Sequence, residues 1–311
     1  MRWSRTAVAA SGSHPSELGD LLSVPTASHS VRTIDNHDVR FGELVGPLVH
    51  GARFFDWELV STQVVTEAFD HAFEDIVDAG GIPYAPVVAT TSVHRYPGFR
   101  DTVTVETTPI SVGQSSVELL YEMTDADGDP LATARITHIT IAPEGGAQPL
   151  TETTRTAFHD ALEEVDPDVG PRESDGEDGA WPSFTETFDV RGPHVEGSEL
   201  AYFEEYPRFA DVALERFLES TGTSLDVLRE DSQPFRLRDW RWEFVSPVQY
   251  ESTLTVESDV RAVTDETVRV HHRLEIDDRV SIEGVIEYGN FDEEGTPIPF
   301  TPAMREPFVA E

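Results

Sequence analysis

Glu58 stands where an apolar residue is expected. Phe55, Glu58, Thr62, Val65 and Phe69 recur at steps of 3, 4, 3 and 4, the spacing of one buried helix face. A carboxylate on such a stripe loses its water. Desolvation raises its pKa toward values useful for a general base or a nucleophile. His50-Gly51 opens the same stretch eight residues earlier. A helix N-terminus offers free amides and the positive end of the dipole, which favour developing negative charge. A glycine there lets a ligand approach the backbone closely. Two readings of Glu58 stay open: a catalytic carboxylate, or a solvated one on a slightly rotated helix in a chain with 59 acids.

The elements that must position these residues are written twice. Pro83–Tyr121 and Pro234–His272 run in parallel without a gap at an offset of 234 − 83 = 151. Upstream the match resumes at 203 − 55 = 148, where Phe54-Phe55-Asp56 faces Tyr202-Phe203-Glu204. In the second copy Phe203, Tyr206, Ala210, Ala213 and Phe217 form the stripe, so Tyr206 stands opposite Glu58. The first long helix is expected from about Gly51 to Ala79, stopped by Gly80-Gly81, and the second from about Glu199 to Ser220. Period-2 alternation then marks strands in each copy, with hairpin chemistry at Asp125–Pro130 and Asp277-Asp278. In Phe235–Phe244, Trp240, Trp242 and Phe244 share one face, with Arg241 and Glu243 on the other. Each copy therefore reads as a strand, a long helix and four antiparallel strands, an α+β layer design. Any ligand site is expected where the copies meet.

The expected organisation is an N-terminal arm over 1–28, a first unit over 29–150, a connecting helix and acidic linker over 151–183, a second unit over 184–292 and a Pro-rich tail over 293–311. A surface helix is expected at Thr151–Val165, and a first strand at Ser30–Leu44, broken near Asp35-Asn36.

Formal net charge is −37, and all 22 basic residues are Arg. That surface repels nucleic acid phosphates and anionic membranes. The absence of Lys beside so many acids resembles the proteins of extreme halophiles. No Cys is present, which excludes disulfides, a thiolate nucleophile and Cys-ligated zinc. His271-His272 are adjacent on a strand and point to opposite faces, so no metal site is expected. No secretory signal or membrane span is read, and a cytoplasmic location is expected.

The run from Gly46-Pro47-Leu48-Val49-His50-Gly51-Ala52-Arg53 to Phe54-Phe55-Asp56-Trp57-Glu58, followed by strands and repeated in tandem, resembles the hotdog fold of acyl-CoA and acyl-ACP thioesterases and related dehydratases. The resemblance covers roughly 30–142 and 184–291. One subgroup reads Gly-x-x-His-Gly-Gly with an acid on the helix some nine residues after the His. His50-Gly51 matches it, Ala52 replaces the second Gly, and Glu58 falls at eight. The other reads Asp-x-Asp-x-x-Gly-x-Val before an aromatic helix start. Arg40-Phe41-Gly42-Glu43 resembles its lead-in, and Val45 stands where its second Asp belongs.

The resemblance implies a tandem double hotdog, each unit an antiparallel sheet wrapped around one long helix. It implies hydrolysis of an acyl-CoA or similar thioester between the units, without a further cofactor. In it the Gly51 amide binds the thioester oxygen, and Glu58 is the first choice of carboxylate, with Glu43 as a substitute for the missing Asp. His50 either hydrogen-bonds the carbonyl or caps the loop. Glu196 with His194 is the candidate of the second copy. Phe54, Trp57 and Trp240 either line an acyl tunnel or belong to the core. Arg53, Arg95, Arg100, Arg236, Arg238 and Arg241 are candidates for CoA phosphates. Asp56 and Glu204, equivalent positions one turn into each helix, are candidates for substrate binding, or else cap the helices or face the other copy. A non-catalytic acyl-binding module and a hydratase are the competing readings. The chain is expected to form an intrachain pseudo-dimer that can pair further.

Overall fold

The computed structural model describes residues 30–171, 181–197 and 199–309. The arm expected over 1–28 and most of the acidic linker lie outside them. The first half contains strand β1 (Val31–Asp38), the short strands β2 (Leu44–Val45) and β3 (Leu48–Val49), helices α1 (Ala52–Ala68) and α2 (Phe73–Asp78), and strands β4 (Ile82–Val93), β5 (Thr102–Val112), β6 (Ser116–Thr124) and β7 (Pro130–Ile141). Helix α3 (Glu152–Asp160) follows, capped by the Thr151 side chain. The second half contains β8 (Ser183–Asp189), α4 (Glu205–Ser220), α5 (Leu225–Arg229), β9 (Gln233–Phe244), β10 (Thr253–Val263), β11 (Thr267–Ile276) and β12 (Arg279–Phe291), then β13 (Pro297–Ile298) and α6 (Pro302–Arg305).

The main strands form one antiparallel sheet in the order β1-β5-β6-β7-β4-β9-β12-β11-β10-β8. Each half supplies five strands in mirrored order. The seam is β4 against β9, with Ala89 opposite Trp242 and Thr91 opposite Trp240. The duplication extends to backbone torsions. Tyr84 and Phe235 both take left-handed φ, 42° and 57°, and so do Arg100 and Glu251, 75° and 62°. Both pairs keep the 151-residue offset. Such torsions are costly for residues with side chains and persist only where the surrounding structure enforces them. Tyr84 and Phe235 kink the starts of β4 and β9, beside the clefts described below, while Arg100 and Glu251 lie just before β5 and β10.

The helix stripes are buried as their spacing implies: Phe55, Glu58, Thr62 and Val65 on α1, and Tyr206, Ala210, Ala213 and Phe217 on α4. Two boundaries differ from expectation. The first helix stops at Ala68, because Asp70 takes a φ of 57°, and α2 resumes as a separate turn. The second begins at Glu205, not Glu199. The residues before it pair with neighbouring loops, Val195 with Ala201 and Leu200 with Gln249, so their amides are already committed. The break expected near Asp35-Asn36 is a bulge in β1, with Asn36 at φ 48°. The tail packs on the second half, where Phe300 stacks on Phe235 and Phe308 meets Phe217. Among the described residues no helix is long and apolar enough to cross a membrane.

A surface with this net charge repels itself, and salt shortens the range of that repulsion from about 10 Å at 0.1 M to about 3 Å at 1 M. Thermal unfolding followed by circular dichroism is therefore expected to show Tm falling, on the order of 10 °C, between about 2 M and 0.1 M KCl. An unchanged Tm would contradict this.

Candidate active site

The start of α1 is held by its own loop. The His50 Nδ1 accepts the Ala52 amide at 3.0 Å, and the His50 amide bonds the Glu43 carbonyl at 2.9 Å. The Gly51 amide has no hydrogen-bond partner among the described residues. Gly51 is also needed sterically. A Cβ there would sit 2.8 Å from Leu237 Cδ1 and 3.0 Å from the Tyr96 hydroxyl. With Nδ1 accepting, a neutral His50 carries its proton on Nε2. The ring is held neutral: burial, and then Arg208, Arg236 and Arg53, push its pKa down to about 4.

His50 Nε2 lies 3.8 Å from Oδ2 of Asp211, which comes from α4 of the other half. Its other oxygen, Oδ1, has no partner among the described residues. Burial raises the Asp211 pKa well above the usual carboxylate range, and Glu215 adds to this while Arg236 and Arg208 oppose it. The carboxylate still keeps 23% of its side-chain surface exposed. His50, Gly51 and Val45 of the first half and Asp211, Arg229 and Arg236 of the second line one cleft, whose volume is about 70 Å³. It holds two N–H donors at a helix N-terminus and one proton-hungry carboxylate. Those are the parts needed to polarise a carbonyl and activate water.

The pseudo-equivalent cleft on the other side of the seam is different in kind. Its volume is about 450 Å³, and Leu59, Phe73, Tyr84, Phe203, Tyr206 and Phe244 make it largely apolar. Gln63, which matches Asp211 at the 148-residue offset, and Glu196 are among its polar groups.

The sequence candidates separate accordingly. His50 and Gly51 reach the polar cleft. Glu58 does not. It is fully enclosed, its Oε1 accepting from Thr91 at 2.9 Å and its Oε2 unpartnered among the described residues. Burial pushes its pKa up to about 8, as its place on the stripe implies, yet it lines neither cleft. Glu43 is tied by His37 at 3.0 Å, the Arg40 amide at 2.7 Å and Arg53 at 3.3 Å. Burial opposes these partners, but they hold its pKa below the ordinary value, which makes it a poor base.

The binding candidates also resolve into structural roles. Phe54, Trp57 and Trp240 are core, with Trp240 stacked on Phe55 at 4.5 Å and Phe54 set edge-on to Trp57. Arg53 is already surrounded by carboxylates, with Asp56 at 2.6 Å, Glu204 at 3.1 Å and Glu43. Tyr202 donates to Asp56 at 2.5 Å. Asp56 and Glu204 thus clamp the two helix starts together across the seam, and Arg53 is not available to a phosphate. His271 pairs with Glu283 at 3.1 Å while His272 is buried. No metal cluster occurs among the described residues.

Asp211 was not legible as a site residue. It flanks the α4 stripe, where a charge ordinarily reads as solvated. What marks it out is His50, which the fold brings within 3.8 Å of it from the other half.

Comparison with known proteins agrees with this architecture. The model of the Thioesterase superfamily matches residues 62–132. No curated protein matches the chain in sequence. Among solved structures, one described as an oleoyl thioesterase from Lactobacillus plantarum superposes with a TM-score of 0.67 at 14% identity, covering 85% of this chain and 96% of that one. A 12:0-ACP thioesterase from Umbellularia californica gives 0.63 at 11%, covering 84% and 94%. An acyl-ACP thioesterase from Bacteroides thetaiotaomicron gives 0.59 at 11%, covering 82% and 95%. The chain has the hotdog fold of these thioesterases.

Proposed function

We propose that this chain hydrolyses an acyl thioester in the polar cleft, its two halves acting as a tandem pair of hotdog units. The observation that carries the proposal is the meeting of His50-Gly51 at the start of α1 with Asp211 of the other half. The thioester oxygen takes hydrogen bonds from the Gly51 amide and from His50 Nε2. Asp211 removes a proton from a water molecule as its oxygen attacks the carbonyl carbon. The tetrahedral intermediate then collapses, the C–S bond breaks, and the thiolate recovers the proton from Asp211. Fold likeness to proteins described as acting on oleoyl, 12:0-ACP and acyl-ACP thioesters supports the reaction class. An acyl-CoA is the proposed substrate. A cleft of about 70 Å³ suits the thioester and a short acyl group.

A second reading, a non-catalytic acyl-binding module, is favoured by the larger apolar cleft, which has Gln63 at the position matching Asp211. A panel of acyl-CoAs from acetyl to palmitoyl, assayed for free thiol in multimolar salt, separates the two. Thiol release, fastest for short acyl groups, is expected. Tight binding without thiol release would overturn the hydrolase and establish the binding module.

A further inference from the structure

In so acidic a chain most described arginines are neutralised by a carboxylate, as in Arg95–Asp125, Arg135–Glu118, Arg208–Glu204 and Arg269–Glu287. The guanidinium groups of Arg40, Arg100, Arg229 and Arg236 have no carboxylate oxygen within 4.0 Å among the described residues, although the Arg40 amide bonds Glu43 at 2.7 Å. Arg155, Arg279 and Arg305 share that property on other elements. Arg229 and Arg236 line the polar cleft. Arg236 spends its donors on carbonyls, those of Val45 and Val49, and on Gln233.

Arg40 and Arg100 belong to two loops that pack together. The Arg100 amide bonds the Val39 carbonyl at 3.4 Å, the Val39 amide bonds the Asp101 carbonyl at 2.9 Å, and Leu48 bridges Gly98. These loops present Phe41 and Phe99, 80% and 51% exposed, edge to face at 6.3 Å. The Arg100 guanidinium lies 5.3 Å over the Phe99 ring. Val45, itself 42% exposed, continues this surface into the cleft.

Exposed aromatic rings cost hydration and offer a flat face for a base, while arginines beside them pair bidentately with phosphate. Guanidinium charge without a carboxylate partner among the described residues, in a chain of net charge −37, is complementary to an anion. We infer that the Phe41–Phe99 rim, with Arg40 and Arg100, binds the phosphorylated purine nucleotide of a CoA thioester. The base stacks on the exposed rings, the phosphates meet the arginines, and the pantetheine arm runs past Val45 into the cleft. This rests on the hydrolase reading for the position of the thioester, but the nucleotide site can be tested without it.

The test compares acyl-CoA with the same acyl ester of pantetheine, which lacks the nucleotide, and measures binding of adenosine 3′,5′-bisphosphate by calorimetry. It uses the full chain and the variants Phe41→Ala/Phe99→Ala and Arg40→Ala/Arg100→Ala. Wild-type protein is expected to prefer the CoA ester by about 10- to 100-fold in kcat/KM, through KM. Each double variant is expected to lose that preference and the bisphosphate binding, with pantetheine-ester turnover unchanged. Equal kcat/KM for the two esters in wild-type protein, or an equal loss for both in the variants, would overturn the site. So would a carrier-protein thioester turned over faster than the CoA ester in an Arg40- and Arg100-dependent way, which would make the rim a protein-docking surface. Bisphosphate binding lost in the variants, with no thiol release from any ester, would support the nucleotide site and sink only the hydrolase reading.

Discussion

Asp211→Asn is expected to lower kcat for thioester hydrolysis roughly a hundredfold to ten-thousandfold, the range for removal of a positioned general base, while KM changes little. Asn keeps the shape and polarity of the side chain but takes no proton from water. The wild-type pH profile supplies an independent check. Burial and Glu215 hold the Asp211 pKa above the usual carboxylate range. The acid limb of kcat/KM is therefore expected at a pH higher than the ordinary value of about 4, and it is expected to vanish from the residual activity of the variant. Glu58→Gln, by contrast, is expected to leave kcat within about threefold, because Glu58 lines neither cleft. Steady-state thiol release in constant salt measures both. Activity lost in Glu58→Gln and kept in Asp211→Asn would return the catalytic role to α1 and reject the cleft assignment.

That contrast marks where the sequence was informative. Its period-3.6 stripe placed Glu58 inside the molecule, and desolvation did raise its pKa. A stripe, however, says only that a side chain faces inward. It does not say whether the space it faces is a cleft or packed core. Glu58 meets Thr91 on β4, in the middle of the seam, where Trp240 stacks on Phe55. The gapless repeat at an offset of 151 residues is more informative. A repeat without insertions keeps every inward residue inward, so strand positions and the kinks at Tyr84 and Phe235 recur in both halves, whereas the pairing of β4 with β9 joins the halves and is seen only in the fold. Helix ends are less legible. Glu199 and Asp70 both take left-handed torsions, φ 60° and 57°, and neither is the glycine that ordinarily announces one.

Divergence between the halves shows what the repeat left free to change. In the first half Tyr121 on β6 bonds His138 on β7 at 2.8 Å. In the second the types are exchanged: His272 on β11 faces Tyr288 on β12 at 3.4 Å. The pair stays buried and the fold does not depend on which strand carries which ring. At the clefts no such exchange preserves the chemistry. His50-Gly51 and Asp211 meet on one side of the seam, while Gln63 and Glu196 border the apolar cleft on the other. The asymmetry therefore lies in what lines each cleft: His50, Gly51 and a carboxylate of raised pKa in one, a largely apolar wall with Gln63 and Glu196 in the other.

Glu58→Gln is expected to stabilise the protein strongly at alkaline pH and hardly at all at pH 5. Glu58 is fully enclosed, and its pKa lies near 8 in the folded chain against 4.5 ordinarily. Between those values the native state keeps a proton that the unfolded chain has released. Stability therefore falls as pH rises through this window, and the whole difference is lost above about pH 8. The shift is 8 − 4.5 = 3.5 units, on the order of 5 kcal/mol at about 1.4 kcal/mol per unit. Gln has no proton to lose, still accepts from Thr91, and matches the shape of the protonated acid. Urea unfolding in constant multimolar salt is expected to give a variant several kcal/mol more stable than wild type at pH 9, converging with it at pH 5. On the acid side both proteins should weaken together. Burial holds His138 near pKa 4 and His272 near 3, so the unfolded chain binds protons below about pH 6.5 that the native state refuses. Parallel curves for the two proteins from pH 5 to 9 would show that Glu58 is ionised at little cost. Its Oε2, unpartnered among the described residues, would then need a donor such as buried water.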